Sequence, residues 1–353
     1  MNLKKRILVA PLNWGLGHAT RCIPIIDALI KHDFEPVIAS DGKALTLLKK
    51  EFPNVLSIKL PSYNIEYSQK AQLFKWKLLK DSPKIIKAIR IENGEVKNII
   101  ESQNIRGIIS DNRLGVYSKK TPSVFITHQL NVLSGKTTWL SSKIHQQVIK
   151  KFDECWVPDA EIEPNLSGNL GHLKQHYLNL KYIGPLSRFN KAEYNIIYDI
   201  LVLLSGPEPQ RTVLEEILFE QLKAFKGKIL FVKGIVENNQ TIIKKKQFTI
   251  YNFMLGKELE KAMIQSKFIL SRSGYTTIMD LAKLNKKSFF IPTPGQYEQE
   301  YLAKRLNDIN IAPYCKQDDF NVEKLKTIDN YIGFEALNTD INYEELFNLF
   351  KSE

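Results

Sequence analysis

A glycine-rich turn that holds a histidine follows the first apolar run of the chain. In NWGLGHATR, residues 13–21, Gly15 and Gly17 allow a sharp turn and a close approach of backbone N–H groups to a ligand. A helix that begins near His18 directs the positive end of its dipole to the same place. Thr20 stands where a dinucleotide fingerprint has its third glycine, and no Walker motif follows. The turn therefore suits a phosphate or another developing negative charge, without the pattern of an NAD or ATP site.

His18 is the first candidate for a catalytic base. An imidazole has an ordinary pKa of about 6.5, which suits a group that accepts a proton near neutral pH. Asp111, at the end of GIISD, and His128, in THQLN, follow predicted strands and are further candidates for the same role. Each also has a structural alternative, since a histidine can bond to a helix terminus and an aspartate can cap a helix. The sequence leaves the choice among them open.

A second turn of small residues occurs late in the chain, in SRSGYTTIMD, residues 271–280. It follows a predicted strand and opens a helix at Thr276 or Thr277, so its amides form another helix terminus that suits an anion. Asp280 lies in the first turns of that helix, where a carboxylate can accept hydrogen bonds from the two vicinal hydroxyls of a ribose. A favourable placement of negative charge near the helix dipole is the structural alternative. After one more strand comes the turn PTPGQYEQE, residues 292–300.

Apolar strands and amphipathic helices alternate along the chain and position these turns. Strands that are apolar throughout are typical of parallel sheets covered by helices on both faces. In the first half, the predicted strands are 6–12, 35–40, 55–59, 107–110, 123–127 and 155–157, and the predicted helices are 19–31, 42–51, 83–103 and 141–151. In the second half, the predicted strands are 199–204, 228–232, 248–252, 268–270 and 288–291, and the predicted helices are 211–225, 256–266, 276–284, 296–307, 322–331 and 343–351.

The doubled pattern predicts an α/β protein of two doubly wound, Rossmann-like domains that face each other across a cleft. Residues 158–180 lose the pattern, and the strand-like YIGPL, residues 182–186, and a polar stretch, residues 187–195, follow them. The domains are therefore predicted at 1–190 and 191–353. The last helix is also compatible with packing back on the first domain. In open α/β sheets, ligands bind at the carboxyl ends of the strands, and both glycine-rich turns are predicted there.

Composition and charge narrow the classes of protein and partner. The chain has 353 residues and a formal net charge of +12, which indicates an anionic partner or a lysine-rich solvated surface. No recognised nucleic-acid-binding module occurs in the sequence, so no nucleic acid is expected as a partner. The cysteines, Cys22, Cys155 and Cys315, fit neither a disulfide framework nor a zinc site. The sequence contains no secretory signal and no apolar run of membrane-spanning length, so we expect a cytoplasmic protein.

Residues 61–80, PSYNIEYSQKAQLFKWKLLK, combine basic and aromatic side chains. A helix of this composition can pack on the core, or it can contact an anionic membrane that carries a lipid-linked acceptor. A peripheral position at the inner face of the membrane is therefore an open alternative.

The two turns carry a resemblance to a known family. SRSGYTTIMDLAKLNKKSFFIPTPGQYEQEYLAKRL, residues 271–306, resembles the donor-binding half of the MurG-type glycosyltransferases, the peptidoglycan N-acetylglucosaminyltransferases and their relatives with the GT-B fold. WGLGHATRCIPIIDAL, residues 14–29, is similar to the glycine-rich loop of the same group, and even more to that of the UDP-sugar hydrolases of nonulosonate synthesis. THQLN, residues 127–131, resembles the acceptor-side H-E-Q-N segment of the MurG-type enzymes.

The resemblance implies roles for the residues that match. It places His18 near the reacting centre, Asp280 on the ribose of a uridine nucleotide, and the backbone of Phe253 and Met254 on the uracil ring. Other matching residues are implied to contact the acceptor, the diphosphate and the donor sugar. The substrate-binding candidates are Gly15, Gly17, Gln129, Asn131, Ser205, Gly206, Arg211, Phe253, Met254, Arg272, Ser273, Gly274, Thr276, Asp280, Gln296 and Gln299.

We therefore expect an enzyme, a GT-B glycosyltransferase of cell-envelope glycan biosynthesis. It would move a sugar from a nucleotide-activated donor, such as UDP-N-acetylglucosamine, to a hydroxyl of a carbohydrate or lipid-linked acceptor. The sequence has no Asp-x-Asp triplet, so we expect no metal or other cofactor, with Arg211 or Arg272 and helix termini stabilising the leaving diphosphate. The resemblance implies inversion at the anomeric carbon. Two alternatives stay open: a nucleotide-sugar hydrolase, and a non-catalytic nucleotide- or RNA-binding protein on the same scaffold.

Overall fold

The computed structural model describes residues 4–63, 71–175, 177–235, 237–335, 337 and 339–351, and for residues 71–85 and 136 it gives the backbone alone. The chain divides into two compact units, Met1–Arg188 together with Thr339–Glu353, and Phe189–Asn338. Each unit has its own sheet and its own buried apolar core.

The first unit is built on a parallel sheet. Within the described residues it has seven strands, in the order β3-β2-β1-β4-β5-β6-β7. The strands are β1 (Arg6–Pro11), β2 (Glu35–Ser40), β3 (Ser57–Lys59), β4 (Ile105–Asp111), β5 (Ser123–Ile126), β6 (Glu154–Val157) and β7 (Leu180–Tyr182). The helices between them are α1 (Gly17–Lys31), α2 (Gly42–Glu51), α3 (Ala71–Gln103) and α4 (Thr138–Ile149).

The strand order of this sheet reverses at β1, which lies between β2 and β4. β1 is buried from its second residue onwards, because a parallel sheet of this kind is covered on both faces. Pro11 and Asp111 pair in register at the carboxyl ends of β1 and β4. A reversal of strand order opens a crevice at that edge of a sheet, and the glycine-rich turn and Asp111 both come to it.

The second unit has a mixed sheet. In the part of it that the structure describes, six strands run in the order β10-β11-β9-β8-β12-β13, and β10 is antiparallel to β11. The strands are β8 (Tyr198–Leu203), β9 (Ile229–Val232), β10 (Ile242–Lys245), β11 (Phe248–Tyr251), β12 (Ser266–Ser271) and β13 (Ser288–Phe290). The helices are α5 (Gln210–Gln221), α6 (Gly256–Ile264), α7 (Tyr275–Leu284) and α8 (Tyr297–Asp308).

The strand order of the second sheet reverses at β8, which lies between β9 and β12. Leu203 and Ser271 pair in register at the carboxyl ends of β8 and β12. The loops that follow these two strands therefore begin side by side, and the second small-residue turn lies at the crevice of its own unit.

The carboxyl-terminal segment of the chain belongs to the first unit. Its helix, α9 (Tyr343–Leu346), continues as a 3₁₀ turn, Phe347–Phe350. Phe347 and Phe350 are buried, and their ring centroids lie 6.4 Å and 6.3 Å from that of Trp156, which is fully buried in β6. These aromatic contacts hold the end of the chain in the core of the first unit.

The prediction of two doubly wound α/β units is confirmed, and the differences concern single elements. The sequence does not predict β10, because all four of its residues are exposed and the strand lacks a buried apolar face. The predicted helix at 322–331 is a 3₁₀ helix, Val322–Asn330. α3 begins at Ala71 rather than at residue 83.

The described helices include none that is both long enough and apolar enough to cross a bilayer. The predicted membrane contact at residues 61–80 depends on side chains of which almost all lie outside the described residues.

Candidate active site

The glycine-rich turn leads from β1 into α1. Gly15 has a φ of +75°, a left-handed conformation that glycine adopts without steric cost. α1 begins at Gly17, so His18 lies in the first turn of the helix. The side chain of His18 is 18% exposed. The turn therefore holds an imidazole, still accessible to solvent, above the edge of the sheet.

Asp111 lies beside this imidazole. Its Oδ1 is 2.8 Å from the Nδ1 of His18, and its side chain is fully buried at the end of β4. A carboxylate in this place orients a histidine ring and leaves its Nε2 as the nitrogen that can accept a proton. Two residues that the sequence offers as alternative bases are thus members of one pair.

Arg21 completes the cluster, and the sequence analysis does not include it among the site residues. It lies one turn after His18 on α1, 2% exposed, and its guanidinium binds both carboxylate oxygens of Asp111 in a bidentate pair. Its Nη2 is 2.8 Å from the Nδ1 of His18, and its Nη1 is 3.3 Å from the Nδ1 of His128. The signal that could have found it is the three-residue spacing, which puts residues 18 and 21 on one helix face.

The charges of the cluster shift its proton equilibria. Burial would raise the pKa of the Asp111 carboxyl, but Arg21 and then His18 outweigh burial and hold that pKa far below its usual range. Burial and then the positive charge of Arg21 lower the pKa of His18 below its ordinary 6.5, although Asp111 opposes them. Asp111 is therefore ionised and His18 is neutral near pH 7, which is the state that a general base requires.

The THQLN segment lies next to this cluster. His128 is 6% exposed, and its Nε2 is 3.4 Å from the Nε2 of Gln129. Asn131 is held by the turn Gly168–Leu170, since its side chain donates to the backbone oxygen of Asn169 at 2.6 Å. His128 thus connects the segment to Arg21, and Asn131 is held by a neighbouring turn.

An open cavity of about 720 Å³ adjoins the THQLN segment. Asn131 lines it together with residues of α4 and of the turn before α4. Trp139 is among these residues and is 68% exposed. Polar and aromatic side chains therefore line the cavity.

In the second unit, the loop after β8 brings Ser205 and Gly206 to the carboxyl edge of the sheet. Gly206 has a φ of +106°, which only glycine tolerates well. Arg211, at the start of α5, donates to Glu208 and Glu215, both at 2.5 Å. Its charge is therefore already paired within the protein, and its predicted place on a diphosphate stays a prediction.

Arg272 follows β12 and is 1% exposed. Its Nη1 donates to the backbone oxygens of Ile291 and Pro292, and its Nη2 donates to the backbone oxygen of Gln210 and to the side chain of Gln317. Burial lowers its pKa to about 10, so it stays charged at neutral pH. Arg272 thus connects three separate segments of the second unit by hydrogen bonds. Its predicted contact with a diphosphate also stays a prediction.

The small-residue turn leads into α7 with an open space before it. Gly274 precedes the first residue of the helix, and a Cβ at this position would meet no atom within 4 Å. The Ser273 hydroxyl donates to the backbone oxygen of Gln299 at 2.7 Å, and Gln299 donates to the side chain of Gln296 at 2.6 Å. The structure therefore brings the turn and both predicted glutamines together.

Thr293 belongs to the same cluster and is absent from the sequence-based candidates. Its N–H donates to Gln299 at 2.9 Å, while its buried hydroxyl has no hydrogen-bond partner and lies 3.7 Å from the position of a Cβ on Gly206. An unsatisfied buried hydroxyl costs free energy, and a polar ligand atom within reach can offset that cost. Thr293 thus joins Gly206 to the cluster of Gln296 and Gln299.

The remaining candidates flank this cluster. Thr276 and Asp280 are one turn apart on α7, and Asp280 is 8% exposed. Phe253 and Met254 follow β11; the N–H of Phe253 donates to the side chain of Asn252, and Met254 is 7% exposed. Among the described residues, no group of three or more His, Cys, Asp or Glu side chains is placed to bind a metal ion.

Comparison with known proteins defines the class. Residues 210–331 match the glycosyltransferase family 28 C-terminal domain. The glycosyltransferase of kitacinnamycin has a similar structure, with a TM-score of 0.64, 12% identity, and coverage of 99% of this chain and 94% of that chain. MurG of Acinetobacter baumannii has a TM-score of 0.54, 15% identity, and coverage of 93% and 90%. The fold of this chain is therefore the GT-B fold of glycosyltransferases.

Within that class the chain is similar to the MurG-type enzymes, which confirms the resemblance to that family; the likeness of the first turn to UDP-sugar hydrolases stays a prediction. Its relatives include the UDP-N-acetylglucosamine–N-acetylmuramyl-(pentapeptide) pyrophosphoryl-undecaprenol N-acetylglucosamine transferases of Histophilus somni and Buchnera aphidicola. The first is 25% identical over 232 residues, which are 63% of this chain and 61% of the relative. The second is 26% identical over 233 residues, which are 64% and 61%. The matched region thus spans about three fifths of these relatives.

Proposed function

We propose that this protein is a glycosyltransferase that moves a sugar from a UDP-sugar, of the UDP-N-acetylglucosamine type, to a hydroxyl of a lipid-linked acceptor. The similarity to the MurG-type enzymes supports the class of donor and acceptor. The observation that carries the chemistry is the pair of His18 and Asp111 in the crevice beside the glycine-rich turn.

The proposed reaction is a direct displacement at the anomeric carbon. The acceptor oxygen attacks this carbon while the bond to the UDP oxygen breaks, and the Nε2 of His18 takes the acceptor hydroxyl's proton. Asp111 orients the ring by accepting from Nδ1. One displacement on the face opposite the leaving group inverts the anomeric configuration.

The leaving diphosphate acquires negative charge in the transition state, and donors fixed in advance stabilise it best. We assign this task to the amides at the start of α7, near Ser273 and Gly274, and to the loop at Gly206 with the hydroxyl of Thr293. Arg211 is left out because its charge is paired with Glu208 and Glu215. Arg272 is left out because both of its Nη atoms already donate to protein groups. The proposed reaction therefore needs no metal ion.

The other assignments concern the nucleoside of the donor, the sugar of the donor, and the acceptor. Asp280 binds the ribose hydroxyls, Phe253 and Met254 border the uracil ring, and Gln296 and Gln299 contact the sugar. Gln129 and Asn131 face the acceptor, together with the cavity beside them.

We also propose that the first unit contacts an anionic membrane through α4. Trp139, Leu140 and Ile144 are 68%, 43% and 60% exposed, and Lys143 lies among them. Exposed tryptophan and aliphatic side chains beside lysines are typical of helices that bind a membrane surface. Replacing Trp139 and Ile144 by serine should release the protein from anionic vesicles in a sedimentation assay, without changing its melting temperature.

The donor assignment is tested by thermal stabilisation with a panel of nucleotides and nucleotide sugars. A ligand that binds only the folded protein adds about 2.7 kcal/mol of stability at a concentration of 100 Kd. We expect UDP and UDP-N-acetylglucosamine to raise the melting temperature more than ADP, GDP or their sugars do. A panel without any stabilising nucleotide would contradict the assignment of the second unit.

A nucleotide-sugar hydrolase is the second candidate. It is favoured by the stretch GLGHATRC, in which Arg21 forms an ion pair with Asp111, the carboxylate beside His18. In that reaction water takes the place of the acceptor hydroxyl and His18 takes the proton of water. Release of free sugar and UDP at full rate without any acceptor would select it.

A further inference from the structure

The Nδ1 atom of His18 has two neighbours of opposite kind. Asp111 Oδ1 and Arg21 Nη2 both lie 2.8 Å from it. An ionised carboxylate only accepts hydrogen bonds and a guanidinium only donates them, so Nδ1 can satisfy one of the two at a time. The presence or absence of a proton on Nδ1 therefore decides which of the two neighbours it bonds to.

The two arrangements differ in what they offer a substrate. With the proton on Nδ1 and directed to Asp111, the Nε2 of His18 has a free lone pair and can accept a proton. With Nδ1 accepting from Arg21, the proton lies on Nε2, and the ring can only donate to a substrate. A doubly protonated ring can accept no proton at all.

A buried aspartate beside a histidine normally favours the doubly protonated ring, because the opposite charge stabilises the imidazolium. Such a histidine has a raised pKa, so a smaller fraction of it is neutral and able to accept a proton near neutral pH. In this cluster the charge of Asp111 is already matched by the bidentate pair with Arg21. Asp111 can still accept a hydrogen bond from Nδ1, but burial and the charge of Arg21 outweigh its stabilisation of a second proton on the ring.

We propose that Arg21 is a positioning residue: it neutralises the charge of Asp111 and thereby keeps His18 as a neutral imidazole with its proton on Nδ1 and a free Nε2. This inference rests on the proposed function, in which Nε2 takes the proton of the acceptor hydroxyl. The charged or titratable groups that face His18 are Arg21 from α1, Asp111 from β4 and His128 from the segment after β5. The charges of Arg21 and Asp111 balance each other.

The direction of the lowered pKa of His18 agrees with this geometry, since burial and Arg21 both oppose a second proton. Replacing Arg21 by a neutral residue removes a positive charge near His18. It also leaves the negative charge of Asp111 beside the imidazole without a counter-charge. Both changes favour the imidazolium, so the pKa of His18 should rise.

The test is an NMR titration of the free protein, which needs no substrate. The six histidines are labelled at Cε1, and the His18 signal is assigned by its loss in His18→Ala. We expect His18 to titrate below pH 6.5 in the natural protein and at least about one pH unit higher in Arg21→Gln. Arg21→Lys keeps the positive charge and is the matched control, so its midpoint should stay close to that of the natural protein. An unchanged midpoint in folded Arg21→Gln overturns the proposal.

A second comparison tests the same charge effect in case Arg21→Gln, which leaves the buried Asp111 without its partner, does not fold. Asp111→Asn alone leaves Arg21 as the charge nearest to His18 and should lower its midpoint, whereas Asp111→Asn with Arg21→Gln removes the buried pair together. The double variant should titrate at a higher pH than Asp111→Asn. Equal midpoints in these two proteins would contradict a charge effect of Arg21.

Activity measurements separate this inference from the proposed function. If the protein transfers sugar, the acid limb of kcat/KM should move upward in Arg21→Gln by the amount that the NMR midpoint moves, while the KM for the donor changes little. A shifted NMR midpoint in a protein without any glycosyl transfer would support the role of Arg21 and refute the proposed function. Transfer with an unshifted midpoint would do the reverse.

Discussion

The carboxylate of Asp111 lies 2.8 Å from the Nδ1 of His18, although 93 positions separate the two residues in the sequence. The contact exists because β1 and β4 are neighbours in the sheet and end in register at Pro11 and Asp111. The turn after β1 then needs only the residues from Leu12 to Gly17 to bring the start of α1 over the end of β4. The reversal of strand order thus creates the pair on which the proposed chemistry depends.

The first prediction concerns His18 as the base. His18→Ala should lower kcat by about 10²–10⁴-fold, which is the usual contribution of a general base, and leave donor binding nearly unchanged. His32→Ala is the control, because His32 is exposed at the other end of α1. Steady-state kinetics of both variants, after their folding is checked by circular dichroism, give the comparison. A His18→Ala enzyme with normal kcat would assign the residue to the structure of the helix terminus.

The second prediction concerns Asp280 and the ribose. Asp280→Ala removes a charged acceptor from two neutral hydroxyls, and such bonds are worth about 1.5–3 kcal/mol, or roughly 10- to 150-fold in affinity. Calorimetric titration with UDP measures the loss directly. Asp329→Ala changes an exposed aspartate of the same unit and should bind UDP like the natural protein. Equal affinities in the two variants would refute the ribose contact.

The third prediction concerns metal ions. Activity should survive dialysis against EDTA, since helix termini and a buried hydroxyl are the groups assigned to the diphosphate. The rate is compared before and after dialysis, and again after addition of magnesium or manganese. A loss of activity that either metal restores would show that a bound cation replaces the assigned donors.

The fourth prediction concerns a buried charge network behind the active site. Arg113 and Glu92 are both fully buried, and Arg113 Nε donates to Glu92 at 2.6 Å while its Nη1 donates to Asp41 at 2.6 Å. Glu92→Ala leaves part of a buried charge unbalanced and should cost about 3–5 kcal/mol in the free energy of unfolding. Urea unfolding followed by tryptophan fluorescence measures this cost. Glu101→Ala, an exposed position on the same helix, should change the stability by less than about 0.5 kcal/mol, and similar losses in both variants would argue against the network.

The sequence predicts the fold well because its signals are local. Strands that are apolar throughout, the glycines of the two turns and the helices between them each occupy a short stretch of chain, and each forms near its predicted place. β10 escapes prediction because its four residues are all exposed, so that pairing with β11, and not burial, defines it as a strand.

The candidate site is harder to predict, because its parts meet only in the folded chain. The sequence finds His18, Asp111 and His128 separately, as three candidates for one role. It does not show that Arg21 joins them, since that contact depends on the pairing of β1 with β4. Arg211 shows the opposite case: its partners Glu208 and Glu215 stand at helix spacing in the sequence, and that spacing could have indicated that its charge is already matched.

Sugar transfer is tested most directly by following UDP release from UDP-N-acetylglucosamine labelled in the sugar. The protein is incubated with this donor alone, and then with N-acetylmuramyl-pentapeptide pyrophosphoryl-undecaprenol, the lipid acceptor in the names of its relatives. If the protein transfers the sugar, UDP release depends on the acceptor and the label moves to the lipid in equal amount. UDP release at the same rate without acceptor, with the label recovered as free sugar, would contradict sugar transfer.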